Sequence, residues 1–133
     1  MSAVFADAFY FVGLINRADQ HHAKITAAAR QLRGAIVTTE WVLAEFADAL
    51  ASSASRSLVP DFIRALETDP KVKIIRASTG LFGRGLELYA RRPDKHWSLT
   101  DCISFVVMQD EGLREALTGD EHFKQAGFVP LLK

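Results

Sequence analysis

The sequence has little of several features that would place it in a specialised class of protein. Its 133 residues include a single cysteine, Cys102, which excludes an internal disulfide and agrees with a reducing compartment. No apolar run approaches the roughly 18 to 20 residues that a membrane-spanning helix needs. The first residues also lack the basic leader and apolar core of a secretory signal. We therefore expect a cytoplasmic protein that does not enter a membrane.

An excess of charge of one sign is also missing. Sixteen lysines and arginines balance sixteen aspartates and glutamates, so the formal net charge is zero. A chain that attracts nucleic acid through its overall field carries a large positive excess, and a phosphate-binding site in this chain must therefore be local. The middle of the chain does have a basic bias, which could guide a phosphate backbone. The residues concerned are Lys71, Lys73, Arg76, Arg84, Arg91, Arg92 and Lys95.

The length and composition are those of one ordinary globular domain. The chain is 49% hydrophobic and 24% charged, and its length allows a full core without disulfide or metal support. We find no internal repeat, low-complexity tract or linker that would divide it. We therefore expect a single domain over residues 1–133.

Short apolar or β-branched segments alternate with segments of helical periodicity. The predicted strands cover residues 3–6, 35–38, 72–75, 116–118 and 128–131. The predicted helices cover residues 9–15, 20–32, 40–51, 58–67, 80–90, 99–111 and 120–125. Strands that alternate with helices indicate a parallel sheet covered on both faces. The predicted fold class is α/β, a three-layer α/β/α sandwich with a central, mainly parallel sheet.

Acidic residues follow several of these strands. Asp7 ends the first strand, Glu40 and Glu45 follow the second, and Asp120 follows the fourth. A further acid, Asp101, begins the apolar helix 99–111. In an open parallel sheet, ligands bind at the carboxyl edge of the strands, so acids from distant segments can meet there.

Each acid, taken alone, also has a purely structural explanation. Ser98 and Asp101 match the capping box of a helix, and Asp120 suits a helix N-cap. The side chain of Glu45 lies about 130 degrees from the centre of the apolar stripe of its helix, where most glutamates are simply solvated. Asp7 is harder to explain in this way, because aspartate is rare in strands and its neighbours are apolar.

Four segments, in this order and with these gaps, resemble the PIN-domain ribonucleases, and in particular the small VapC-type toxins of bacterial toxin–antitoxin pairs. The resemblance covers nearly the whole chain. The segments are Val4-Phe5-Ala6-Asp7, Thr38-Thr39-Glu40-Trp41-Val42-Leu43-Ala44-Glu45, Ser98-Leu99-Thr100-Asp101-Cys102, and Leu117-Thr118-Gly119-Asp120-Glu121-His122-Phe123.

The resemblance implies a PIN-like fold and a particular set of site residues. It assigns the family's four acidic positions, which bind metal and carry out catalysis, to Asp7, Glu45, Asp101 and Asp120. The polar residue just before the third acid corresponds to Ser98 or Thr100, and Glu40 lies outside the pattern. The chain departs from many relatives at Ala8, where they carry a hydroxyl residue directly after the first aspartate. One hydroxyl contact to the metal or substrate is therefore not expected from that position.

The chemistry of such a site agrees with these residue types. Mg²⁺ and Mn²⁺ prefer oxygen ligands, and a divalent ion can activate water and neutralise phosphoryl oxygens. Two carboxylates 4 Å apart repel by about 4 kcal/mol at an effective dielectric of 20, which a divalent ion turns into attraction. The sequence therefore predicts an endoribonuclease that depends on one or two Mg²⁺ or Mn²⁺ ions.

The resemblance also implies partners, namely an RNA substrate, an antitoxin protein and a second copy of the chain in a homodimer. An alternative remains open, in which the PIN-like fold is a catalytically inactive module that binds nucleic acid or protein and its acids are caps and surface groups.

Other classes of protein are disfavoured by missing motifs. A receiver-type domain would need a second early aspartate and a late lysine, but only Asp7 is present at the first strand. A P-loop and an H-E-x-x-H zinc motif are absent from the sequence. Trp97, just before the third acid, suits either a buried anchor or a surface for base stacking.

Overall fold

A computed structural model describes residues 3–133, so the first two residues of the predicted domain lie outside the described part. The strands are β1 Val4–Ala6, β2 Ile36–Thr39, β3 Val72–Ile75, β4 Glu115–Leu117 and β5 Val129–Pro130. The helices are α1 Ala8–Ile15, α2 His22–Gln31, α3 Glu40–Ala49, α4 Val59–Thr68, α5 Thr79–Arg91, α6 Leu99–Asp110 and α7 Glu121–Gln125. Each corresponds to a predicted element, and the α/β fold class is confirmed.

The five strands form one sheet in the order β3-β2-β1-β4-β5. Every pairing between the described strands is parallel. The strands β2 and β3 lie on one side of β1, and β4 and β5, which come later in the chain, lie on its other side. The strand order therefore reverses between β1 and β4, and such a switch point opens a crevice at the carboxyl ends of the strands.

The helices bury the sheet with two aromatic clusters. One contains Phe11, Phe46 and Phe62, whose ring centroids lie 5.7 to 5.9 Å apart. In the other cluster, Phe105 packs edge-on against Phe123 and Trp97, with its ring centroid 5.0 Å from each of theirs. The helix α6 is buried along most of its length, and α5 packs along it.

The contact between α5 and α6 depends on a glycine. A Cβ atom on Gly85 would lie 2.3 Å from Cγ1 of Ile103 and 3.2 Å from the backbone of that residue. A Cβ atom on Gly80 or Gly83, in the same helix, would meet no atom of residues 3–133 within 4 Å beyond its chain neighbours and the backbone of its own helix. The glycine-rich segment thus serves helix packing at one of its three positions.

Four of the five strands differ by one residue from the expected range at one end or both, and two of these differences have a visible local reason. The strand β2 extends to Thr39, whose Oγ1 then accepts a hydrogen bond from the Val42 amide and caps α3. The strand β5 contains only two residues and includes Pro130, a residue that sheets tolerate at an edge. Among residues 3–133, none of the helices is long and apolar enough to cross a membrane.

Candidate active site

Asp7 follows β1 directly and lies inside the molecule, with only 5% of its surface exposed. The Thr118 hydroxyl donates a hydrogen bond of 2.9 Å to Oδ2 of Asp7. Burial raises the pKa of the Asp7 carboxyl to about 7; the bond from Thr118 acts against this shift, and the charges of Asp101 and Glu45 add to it. This carboxyl therefore lies close to two other acids in a place from which water is largely excluded.

Asp101 occupies the first turn of α6 and is buried. Its Oδ2 accepts the Ser98 amide at 3.1 Å, while its own amide donates to the Ser98 hydroxyl at 3.0 Å, which completes a capping box. The same Oδ2 lies 2.9 Å from Nδ1 of His122. The two side chains are therefore within hydrogen-bond distance of each other. The capping interpretation is correct, and the same carboxylate also contacts the His122 ring.

Asp120 is the N-cap of α7. Its Oδ1 accepts the amide of His122 at 2.9 Å, and its own amide donates to the Thr118 hydroxyl oxygen at 3.0 Å. Nδ1 of His122 lies 3.5 Å from the same Oδ1. One ligand atom from each of Asp101, Asp120 and His122 lies within 4.8 Å of the others. This group contains the oxygen and nitrogen donors that a divalent cation can use.

Glu45 reaches the same place from α3. Its side chain is half-buried, and burial raises the pKa of its carboxyl, with the charges of Asp101 and Asp120 as the next contributions. The four acids named from the sequence thus share one electrostatic environment at the carboxyl edge of the sheet. The charges of Asp101 and Glu45 act on Asp7, and a ligand atom of Asp101 lies within 4.8 Å of one of Asp120.

Several carboxylate oxygens in this cluster have no protein partner. Within residues 3–133, Asp101 Oδ1, Asp120 Oδ2 and both oxygens of Glu45 accept no hydrogen bond. The second oxygen of each aspartate is held by a backbone amide, which fixes the direction of the free one. Free, oriented carboxylate oxygens are the donors that Mg²⁺ and Mn²⁺ prefer, so the residues present fit such an ion.

Glu40, although it also follows β2, is engaged elsewhere. Its Oε1 accepts the Ala77 amide at 2.7 Å, and its Oε2 pairs with Arg76 at 3.2 Å. The Ala77 bond lowers the pKa of the Glu40 carboxyl. Glu40 therefore joins α3 to the segment after β3, outside the acidic cluster.

Sequence analysis missed Thr118 and His122 as parts of this site. Thr118 is fully buried and joins Asp7 to Asp120, although it stands 111 positions after Asp7. Thr118 supplies to Asp7 the hydroxyl that Ala8, the residue directly after Asp7, lacks. His122 stands in the fourth segment of the family resemblance, which assigns no role to it. The available clue was its position in the short segment after β4, next to Asp120.

Most of the basic residues in the middle of the chain are neutralised. Lys73 pairs with Glu111, Arg76 with Glu40 and Glu67, Arg84 with Asp110, and Arg92 with Asp94. Trp97 is buried, and its Nε1 donates to Oε1 of Gln125 at 3.0 Å. Of the two interpretations of Trp97, the buried anchor is correct.

The fold and the site together define a class of protein. A parallel sheet with acidic residues gathered at its switch point is an arrangement suited to metal-dependent phosphodiester chemistry. The sequence description of the PIN domain matches residues 4–129, and the chain therefore belongs to the PIN-domain family. The resemblance noted from the four segments is confirmed.

Individual relatives agree with this assignment. The chain is 25% identical over 127 residues to the 23S rRNA-specific endonuclease VapC20 of Mycobacterium tuberculosis strain H37Rv, covering 95% of both chains. The crystal structure of M. tuberculosis VapC20, described as a sarcin-ricin loop cleaving toxin, has a TM-score of 0.89 at 23% identity over 98% of both chains. VapBC2 from Rickettsia felis, bound to a DNA fragment from its promoter, has a TM-score of 0.65 at 15% identity over 97% of both chains. FitAcB from Neisseria gonorrhoeae also scores 0.65, at 14% identity over 96% of this chain and 94% of that one.

Proposed function

We propose that this PIN-domain protein is an Mg²⁺- or Mn²⁺-dependent endoribonuclease and the toxin of a toxin–antitoxin pair. In this proposal, Asp7, Glu45, Asp101 and Asp120 hold the metal and carry out catalysis. The observation that carries it is the convergence of these four carboxylates, from four separate segments, at the switch point of the sheet. The relative VapC20, named as a 23S rRNA-specific endonuclease, supports RNA as the substrate.

The protein's own residues have distinct tasks in this reaction. A bound divalent ion supplies an activated water and neutralises the phosphoryl oxygens. Asp101 and Asp120 present one free oxygen each, and the His122 ring and the backbone amides keep them in position. Glu45, whose oxygens accept no hydrogen bond within residues 3–133, takes the proton of the attacking water. Asp7, whose pKa burial raises to about 7, would hold the ion in its ionised form.

A cleavage assay tests this proposal. The substrate is a 23S ribosomal RNA fragment that contains the sarcin-ricin loop, chosen because of the description of VapC20. Wild type should cleave it with Mg²⁺ or Mn²⁺ and should not cleave it in EDTA. Asp7→Asn and Asp101→Asn should lose cleavage while their thermal stability in EDTA stays the same or rises.

Glu40→Gln is the matched control, since Glu40 follows β2, as Glu45 does, but lies outside the acidic cluster. The new side-chain amide oxygen can still accept a hydrogen bond from the Ala77 amide. This variant should keep wild-type cleavage. Cleavage by Asp7→Asn, or cleavage that survives EDTA, would contradict the proposal. If folded wild type with metal cleaves no RNA, the alternative of an inactive binding module, which Ala8 and the zero net charge favour, takes its place.

The same proposal includes protein partners. The solved structures of VapBC2 and FitAcB, which share the fold, support an antitoxin as a partner. Phe82 and Leu86, one turn apart on α5, are 44% and 46% exposed and offer an apolar surface to a second copy of the chain. Light scattering should show a dimer, and Leu86→Glu should convert it to a monomer.

We place the protein in the cytoplasm, where fractionation should recover it with ribosomal RNA.

A further inference from the structure

A cavity of about 620 Å³ lies between the end of α5 and the first turn of α6. Tyr89, Arg92, Lys95, His96 and Ser98 line it, together with apolar atoms of their neighbours. The lining includes no acidic residue. Its volume lies within the range of sites that hold small molecules or single nucleotides, roughly 300 to 1,000 Å³.

The cavity carries positive charge that the protein leaves available. Within residues 3–133, Lys95 forms no ion pair, unlike most of the basic residues in the middle of the chain. Arg92 pairs with Asp94 at 2.9 Å, and its guanidinium lies 5.2 Å from the centroid of the Trp97 ring. The segment 91–98 has three basic residues and one acidic residue, so it retains a local positive charge. Such a surface suits a phosphate group.

An aromatic ring forms another part of the wall. Tyr89, in the last turns of α5, is 50% exposed although its side chain is largely apolar. Exposed aromatic rings beside cationic side chains are the usual elements that hold single-stranded nucleic acid, because a base stacks on the ring while the cation contacts the backbone. An acidic peptide would use the cations but not a stacking surface.

The cavity adjoins the acidic cluster through α6. Ser98 lines the cavity, and its amide donates to Oδ2 of Asp101 at 3.1 Å. Cys102, the residue after Asp101, also lines the cavity. A group bound there therefore contacts residues on either side of Asp101 in the first turn of α6, one of which donates a hydrogen bond to its carboxylate.

We propose that this cavity is a nucleotide-binding subsite for RNA. It holds a nucleotide next to the phosphate that is cleaved, with the base stacked on Tyr89 and the phosphate in contact with Lys95 and His96. Its link to cleavage rests on the proposed function, whereas the binding of single-stranded RNA does not.

Fluorescence anisotropy with a labelled single-stranded RNA oligonucleotide tests this subsite, in EDTA and at low salt so that metal-dependent hydrolysis cannot occur. Tyr89→Ala should weaken binding by about 5- to 150-fold, the range of a base–aromatic stack, and Tyr89→Phe should bind as wild type does. Lys95→Ala should weaken binding and reduce the slope of log K against log salt by about 0.7, as expected for one lost phosphate contact. Lys71→Ala is the matched control: Lys71 belongs to the same basic part of the sequence, but it precedes β3 and does not line the cavity, so its loss should leave the stacked nucleotide in place.

The outcomes separate this subsite from the proposed function. If wild type binds no RNA, or if Tyr89→Ala and Lys95→Ala bind as well as Lys71→Ala, the subsite is wrong even when metal-dependent cleavage is intact. If Tyr89→Ala and Lys95→Ala lose antitoxin binding but bind RNA as wild type does, the cavity belongs to a protein partner, and the proposed RNA subsite is equally wrong. Failure of the proposed function would instead show as cleavage that Asp7→Asn retains, which leaves the binding test valid. In cleavage kinetics, Lys95→Ala should raise KM with little change in kcat.

Discussion

At the scale of single residues, Asp7 combines burial with a proposed metal-binding role that needs its charge. The folded protein binds the Asp7 proton more tightly than the unfolded chain does, because its pKa is about 7 rather than 3.8. The stability that this proton contributes is complete below about pH 4 and is lost as the pH rises through 7. Without metal, ionised Asp7 therefore destabilises the fold at neutral pH.

This titration predicts a difference between wild type and Asp7→Asn in EDTA. Between pH 5 and pH 8, wild type should lose about 3 kcal/mol more unfolding free energy than Asp7→Asn, which has no proton to lose. Urea unfolding at the two pH values measures this difference. Asp61→Asn, at an exposed position, should behave as wild type does. Parallel pH dependence of wild type and Asp7→Asn would show that Asp7 is not buried in the way described.

His122 acts on the proposed metal through Asp101. Its ring contacts Asp101 Oδ2 at 2.9 Å, so His122→Ala should let that carboxylate turn away from the cluster. Side chains that orient metal ligands in this way are worth about 10- to 100-fold in metal affinity. We expect a loss of that size in Mn²⁺ binding, measured by electron paramagnetic resonance. Glu121→Gln, on the same helix, is the control, and equal affinities for the two variants would exclude a role for the ring.

At the scale of elements, the contact between α5 and α6 depends on one glycine in three. Gly85→Ala should destabilise the protein by about 1 to 3 kcal/mol, because the new methyl group meets Ile103, including its backbone. Gly83→Ala, two residues earlier in the same helix, should stabilise it by about 0.5 to 1 kcal/mol, since nothing lies within 4 Å of the added carbon. Thermal denaturation of the two variants provides the comparison. Opposite signs are essential: if both variants are stabilised, the helices do not approach as closely as described.

The ends of elements also show why caps and functional groups were hard to separate from sequence. Asp101 closes a capping box at the start of α6, and Asp120 caps α7. Each uses one oxygen for the cap and leaves the other without a hydrogen bond in the described part of the chain. A helix cap and a metal-binding carboxylate are therefore not competing explanations, because a carboxylate has two oxygens.

At the scale of the whole molecule, the zero net charge conceals an uneven distribution. Setting aside the four clustered acids leaves sixteen basic against twelve acidic residues, a net charge of +4. The positive charge suits RNA, and the acidic cluster suits a divalent ion. Binding of that ion should stabilise the folded state as a whole, because the unfolded chain does not hold the acids together.

Addition of Mn²⁺ should therefore raise the melting temperature. At a concentration about 100 times the dissociation constant, the expected gain is about 2.7 kcal/mol, which corresponds to several degrees for a protein of this size. EDTA should reverse the shift. Asp101→Asn should reduce it strongly, and Glu40→Gln should not. A shift that persists in Asp101→Asn would place the ion elsewhere.

The sequence by itself determined the succession of strands and helices, the α/β class and the family. The spacing of apolar residues, the turn residues and the short β-branched runs are local properties. They specify which elements form but not where each begins and ends, as the extension of β2 to Thr39 shows. The four acids could be named because each follows a strand or begins a helix and matches the family pattern.

The tertiary structure alone decided which side chains meet. Thr118 donates a hydrogen bond to Asp7 across 111 positions, and His122 joins Asp101 to Asp120. Four of the seven basic residues in the middle of the chain find acidic partners, most of them far away in the sequence. The order of the strands, and with it the position of the crevice, likewise depends on contacts between distant segments. Local sequence determines how each segment folds, whereas hydrogen bonds, ion pairs and the cavity beside α6 arise only when the packing of the whole chain brings those segments together.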